Sequence, residues 1–262
     1  MSWSTKVGAA VIVFIILSGG FAAQSAKLDG KPAERRTDVI DVKKFSRSTG
    51  IDNKWTPMKP GMQWIYEGTS VEDDGKVVPH RIIITVTDLT KVLSGVRTVV
   101  SYDLDYTDGE LVEAELAFYV QDTQGNVWQF GEYPEEYEDG KVIKAPAWIH
   151  DLRGSRAGIM MPADPEPGTP SFSEGWGPAV GWKDRGSIYQ LGQKISVPAG
   201  TYDDVLVIKE SAAGEKDAEQ LKYYASGTGN VRTAWLETGA KVSETLELVR
   251  IAQVDPKTEC CR

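Results

Sequence analysis

Residues 96–120 read VRTVVSYDLDYTDGELVEAELAFYV. Val96, Thr98, Val100, Tyr102 and Leu104 alternate before Asp108-Gly109, and Val112, Ala114, Leu116, Phe118 and Val120 alternate after it. A period of two is the repeat of a strand with one buried face. Asp-Gly suits a tight hairpin turn, whose central residues take positive φ. The stretch therefore predicts an antiparallel hairpin. Asp103 and Asp105 have the opposite parity and are expected on a charged outer face; Glu113, Glu115 and Tyr119 share the side opposite the apolar one.

Working outward, the same signal recurs. Residues 81–86 (RIIITV) are β-branched, and residues 126–130, 205–209, 220–225, 230–236 and 242–251 read as further strands. Apart from the first residues, no stretch has helical apolar periodicity. The expected architecture is all-β, a meander of about ten or eleven antiparallel strands.

The chain also repeats itself. KPGMQWIYEG (59–68) and EPGTPSFSEG (166–175) share Pro-Gly and Glu-Gly at an offset of 107. Gly95, Gly109, Glu110, Leu116 and Tyr119 recur as Gly200, Gly214, Glu215, Leu221 and Tyr224 at 105, and Gly125-Asn126-Val127 recurs as Gly229-Asn230-Val231 at 104. Glycines mark turns that tolerate positive φ, so shared glycines predict two copies of one unit. Each copy would be a sheet with one apolar face and a free edge. Paired, two tandem pseudo-repeats (about 57–132 and 164–237) predict a closed or half-open barrel.

Residues 1–26 have the form of a signal peptide: Lys6, an apolar run over 8–17, then Gly19-Gly20 and small residues. Residues 27–54 read as a polar linker, 55–252 as the duplicated domain and 253–262 as a flexible tail. The location expected is periplasmic or extracellular, with no integral membrane domain after cleavage. The formal charge is −9, and losing Lys6 with the leader leaves −10. Nucleic acid is excluded as a partner, since phosphate binding calls for clustered Lys and Arg. The only cysteines are the adjacent Cys260 and Cys261, so no disulfide framework stabilises a core.

Between the copies lies an insertion, 133–163, without clear secondary structure; such segments are functional more often than idle. It follows Trp128 and Glu132 and carries Trp148, His150 and Asp151. These five residues are the candidate ligand-binding site at one barrel mouth. His150 beside Asp151 is also the pairing a general base would need. His80, after Val78-Pro79, reads as an edge-strand cap. Glu113 and Glu115 form a carboxylate pair on one strand face, without a sequence feature that raises either pKa.

No nucleophile elbow, zinc motif or phosphate loop occurs. Asp103, Asp105 and Asp108 approach a calcium loop but the pattern fails at Thr107, Asp108 and Ala114. No metal site and no cofactor are expected. The tryptophans at 128, 148, 176 and 182 suit sugars or apolar groups at a rim. The function expected is a non-catalytic, envelope-associated binding module for an apolar or saccharide small molecule or polymer. The alternative is a secreted hydrolase or lyase using His150 with Asp151, or a carboxylate pair. Oligomeric state is left open.

DTQGNVWQFGE (122–132), GIMMPADP (158–165) and YYASGTG (223–229) resemble segments of an exported bacterial family of unknown function. The resemblance runs over about residues 55–251. It implies export and an all-β domain, and no chemistry.

Overall fold

The computed structural model describes residues 40–72, 74–212, 219–237 and 241–255. The leader, the cysteine pair and Gly214 with Glu215 lie outside the described residues. The first half of the chain forms β1 Met62–Val71, β2 Val77–Leu93, β3 Val96–Thr107, β4 Glu110–Gln121 and β5 Val127–Glu138. Short strands follow: β6 Lys141–Lys144, β7 Trp148–Ile149, β8 Arg156–Met161, β9 Phe172–Ser173 and β10 Gly175–Trp176. The second half forms β11 Asp184–Val197, β12 Gly200–Ala212, β13 Glu219–Ala225, β14 Gly229–Glu237 and β15 Lys241–Gln253. Among the described residues the only helical element is a 3-10 turn at Val42–Phe45. The all-β antiparallel expectation holds.

The hairpins close as their sequences demand. Asp108 and Gly109 both have positive φ (51° and 84°), as do Ser94 and Gly95 (47° and 84°). Two positive-φ residues make the turn whose twist matches that of paired strands. The meander β1–β5 meets the meander β11–β15 where β1 pairs with β15, Trp64 opposite Ile251. All fifteen strands belong to one sheet whose main path is open. Its two ends are β9, on β11, and β10, on β8, with only Glu174 between them in the chain. Among the described residues no ladder closes the path into a barrel.

The repeated Glu-Gly pairs mark close approaches. A Cβ on Gly68 would lie 1.7 Å from the Thr245 carbonyl oxygen of the neighbouring strand, and one on Gly175 would lie 2.7 Å from the Trp148 ring.

The core has two sides. Val99, Ala117 and Tyr119 pack with Trp64, Tyr66, Ile82, Leu206, Tyr224 and Leu248. Their chain neighbours Val100, Phe118 and Val120 pack with Phe45, Trp128 and Phe130. Adjacent strand residues point to opposite faces, so β3 and β4 are covered on both. The outer cover comes from the segment expected to be a weakly packed linker. Phe45 sets its edge on Trp128 (6.0 Å, 79°) and Phe130 (5.4 Å, 83°). Asn53 Nδ2 donates to the Gly125 and Pro162 carbonyls at 2.9 and 3.2 Å, while its Oδ1 accepts from the Trp55 and Thr56 amides. From residue 40 onward the expected linker is thus part of the folded body.

The insertion is also more ordered than expected. Strand β5 runs on through the acidic stretch to Glu138, folds back as β6, and later pairs with β8, Trp128 opposite Ile159.

Candidate functional site

Between the meanders β1–β5 and β11–β15 lies a cavity of about 220 Å³. Period two and register build its walls. Asp103 and Asp105 share one face of β3, and Glu113 and Glu115 share one face of β4. The register places Asp103 opposite Glu115 and Asp105 opposite Glu113, with Glu136 of β5 next in the Glu113 row. That face looks inward: Asp105 and Glu113 are 4% and 6% exposed. The charged outer face expected for Asp103 and Asp105 is therefore reversed, because the cover over Val100 and Phe118 leaves the acidic parity facing the cavity.

Eight carboxylates line the cavity: Asp103, Asp105, Glu113, Glu115, Glu132, Glu174, Asp184 and Glu210. Lys222 of β13 is the only lysine or arginine among the described lining residues, and its Nζ lies 2.7 Å from Glu210 Oε2. Burial works against the Lys222 charge, but Glu210, with Tyr224 and Glu174, raises its pKa above the ordinary lysine value. Aromatic rings complete the lining, with Trp64, Tyr66, Tyr119, Trp182 and Tyr224.

Burial penalises the charged form of a carboxyl, and neighbouring carboxylates add to the penalty. Glu113 is pushed up to about 9 by burial and then by Asp105, Glu132 and Glu136. Asp184 is pushed up to about 8 by burial and by Glu210. Burial raises Asp103 to about 7 against the Ser101 hydroxyl, which donates to it at 2.5 Å. Glu132 also rises to about 7 through burial, opposed by Trp148 and by the Gln129 amide at 2.9 Å. The Trp148 indole N–H faces Glu132 without reaching hydrogen-bond alignment. Glu115 and Glu174 are raised well above the usual range, again chiefly by burial.

Behind Asp105 stands His80, whose side chain is wholly buried. Its Nε2 is 2.7 Å from Asp105 Oδ1, and its Nδ1 is 2.6 Å from Glu244 Oε1. The second contact is a close charge contact rather than an aligned hydrogen bond, so Nδ1 and Oε1 have no hydrogen-bond partner. Burial alone would lower the imidazole pKa, but the two carboxylates carry it up to about 9. The edge-strand cap expected for His80 is replaced by a buried cation between two acids.

No family model matches this chain, and no curated protein matches it. Solved structures do resemble it. One is a candidate exported protein with a YmcC-like fold from Bacteroides fragilis NCTC 9343, 14% identical over 76% of this chain and 99% of that chain, with a TM-score of 0.44. Another is a candidate lipoprotein from Parabacteroides distasonis ATCC 8503, 12% identical with the same coverage of both chains and a TM-score of 0.36.

Of the five residues expected to form the site, only Glu132 lines the cavity. Trp128 belongs to the outer core, and its Nε1 donates to Asp122 Oδ2 at 2.9 Å. Trp148 is buried and stacks on Trp182, ring centroids 5.9 Å apart. His150 is buried against Phe130 (5.2 Å), and its Nδ1 accepts from the Ala157 amide at 3.1 Å. Burial, opposed by Asp151 and aided by Arg156, lowers the His150 pKa. Asp151 is exposed and paired with Arg156 at 2.9 Å. The insertion thus builds a packed corner, and His150 with Asp151 does not face the cavity. The sequence reading held Glu113 with Glu115 as a carboxylate pair and put Asp103 with Asp105 on the wrong face; it missed Glu174, Asp184, Glu210 and Lys222. One signal was available: Glu174 belongs to the repeated Glu-Gly pair.

Proposed function

We propose that this chain is an exported, non-catalytic binding module that holds a small polar ligand in the cavity between the two meanders of one open sheet. One observation carries the reading. Glu113 Oε2 and Asp184 Oδ1 are buried without a hydrogen-bond partner, on residues 6% exposed that line the cavity. Buried polar atoms are nearly always satisfied, and an unsatisfied group in a native fold calls for an explanation. A ligand that donates hydrogen bonds supplies one.

Of the apolar and saccharide ligands the sequence suggests, the acidic walls disfavour the apolar one. The aromatic lining is retained in another place, around Trp64 and Trp182 rather than Trp128 and Trp148. The duplication is supported by matched turn glycines: Gly61 and Gly168 have φ of 85° and 88°, and Gly125 and Gly229 of 93° and 100°. Export rests on the leader-like stretch at 1–26.

The test is a thermal-shift screen of the purified chain with oligosaccharides, fatty acids, amines and amino acids, joined to native mass spectrometry for co-purifying compounds. A saturable rise in melting temperature with one polar class supports the reading. No shift with any class, and no bound mass, rejects it.

A further inference from the structure

We propose that this cavity selects a small organic ammonium ion, with the carboxylates of β3 and β4 as its counter-charge and aromatic faces as its side walls. The inference rests on the binding reading above and names the ligand class.

The two hairpins that face the cavity are not equivalent. On β12–β13, Glu210 has Lys222 at 2.7 Å. On β3–β4, Asp103 opposes Glu115 and Asp105 opposes Glu113, and no lysine or arginine of the lining reaches them as Lys222 reaches Glu210. His80 serves Asp105 from behind and leaves the other three. Like charges directly opposite in a sheet destabilise it. Beyond His80 behind Asp105 and the more distant Lys222, no described lining residue brings a positive charge to the β3–β4 wall.

A second observation is independent of the acidic count. Glu113 Oε2 has no hydrogen-bond partner although its residue is 6% exposed and lines the cavity. An ammonium N–H is the donor that fits it.

The aromatic walls narrow the class further. Trp64 Nε1 donates to the Thr228 carbonyl at 2.7 Å, and the Tyr66 hydroxyl donates to the Asn230 carbonyl at 2.9 Å. With their polar tips tied to backbone, these rings offer the cavity their carbon surfaces. A cation over such a face gains about 0.5–2 kcal/mol, and aromatic walls are a recurring device for organic ammonium groups. A metal ion would need several oxygens converging at about 2.0–2.6 Å. Among the described residues no three His, Cys, Asp or Glu side chains are grouped closely enough to hold one. A volume of about 220 Å³ is below the usual drug-sized pocket of roughly 300–1,000 Å³, so the ligand is small.

The experiment is isothermal titration of the full chain with 1,4-diaminobutane, tetramethylammonium and the uncharged isostere 1,4-butanediol, in two buffers of different ionisation enthalpy at pH 7.5. At least one of the two cations binds ten-fold or more tighter than the diol. Its apparent enthalpy differs between buffers, because raised carboxyls release protons as the cation enters. Glu113→Gln and Glu115→Gln each weaken that binding at least ten-fold while the melting temperature holds or rises. Equal binding of diol and cations overturns the inference, as does silence with both cations while an oligosaccharide binds; in that last case the binding reading survives. Silence with every class removes both. If a variant fails to fold, the cation-to-diol ratio on the unmodified chain decides.

Discussion

His80 Nε2 lies 2.7 Å from Asp105 Oδ1, with the imidazole wholly buried and Glu244 on its other nitrogen. Deleting one partner from such a group leaves charge buried without compensation, which costs about 3–5 kcal/mol. His80→Ala should therefore destabilise the chain by about that amount in chemical denaturation at pH 7. Asp105→Asn, which keeps a hydrogen-bond acceptor and leaves Glu244 in place, should cost clearly less. A loss below about 1 kcal/mol for His80→Ala would show that the acids do not depend on it.

Stability should fall as pH rises. His80 is raised from its ordinary 6.5 to about 9, so its contribution is complete below 6.5 and is lost towards 9. The carboxyls of Glu113, Asp184, Asp103 and Glu132 are also raised, to between about 7 and 9. Between their ordinary and their folded pKa values the folded chain holds more protons than the unfolded chain, so the slope has the same sign. The melting temperature is expected to be several degrees lower at pH 9 than at pH 5. A flat or rising profile contradicts a buried, proton-holding interior.

Glu113→Gln should stabilise the unliganded chain at pH 8 by about 1 kcal/mol. Glutamine keeps the shape of the protonated acid, which the fold favours up to about 9, and removes the cost of holding that proton at pH 8, where the unfolded chain has released it. The gain should shrink towards pH 4, where the carboxyl is protonated in the unfolded chain too. Urea titrations of both proteins at the two pH values measure it, and a destabilised variant at pH 8 would mean that Glu113 is held ionised by a partner.

The strands were legible because period two survives any tertiary context. Val96 to Val120 alternates about Asp108-Gly109 in sequence and in structure alike. What alternation does not encode is which parity faces inward. Charged residues are usually exposed, so Asp103 and Asp105 read as an outer face. The outcome was decided by Phe45, a single aromatic in a polar stretch, which covers the other side. The cavity was illegible for the same reason: its acids come from six separate places between Asp103 and Glu210 and meet only through register. His150 beside Asp151 was conspicuous in sequence because the two are adjacent, yet neighbours on a turn rarely share a cavity wall.

Phe45 is accordingly a test of the outer cover. Truncating a buried phenylalanine costs about 3–5 kcal/mol, and Phe45→Ala should lose that much while a substitution at exposed Lys43 should stay within about 0.5 kcal/mol. Equilibrium unfolding compares them. A small loss at Phe45 would return residues 40–53 to the status of a linker.

His150→Ala separates the corner from the cavity. The substitution removes the acceptor of the Ala157 amide and the edge contact with Phe130. An unsatisfied buried donor costs about 1–3 kcal/mol, so the chain should become less stable by that order. Because His150 does not line the cavity, affinity for whichever class the thermal-shift screen identifies should stay within about two-fold. The pair of readouts is what discriminates. Unchanged stability with lost binding would restore His150 and Asp151 as the working site, whereas lost stability with unchanged binding places the function among the carboxylates of β3 and β4.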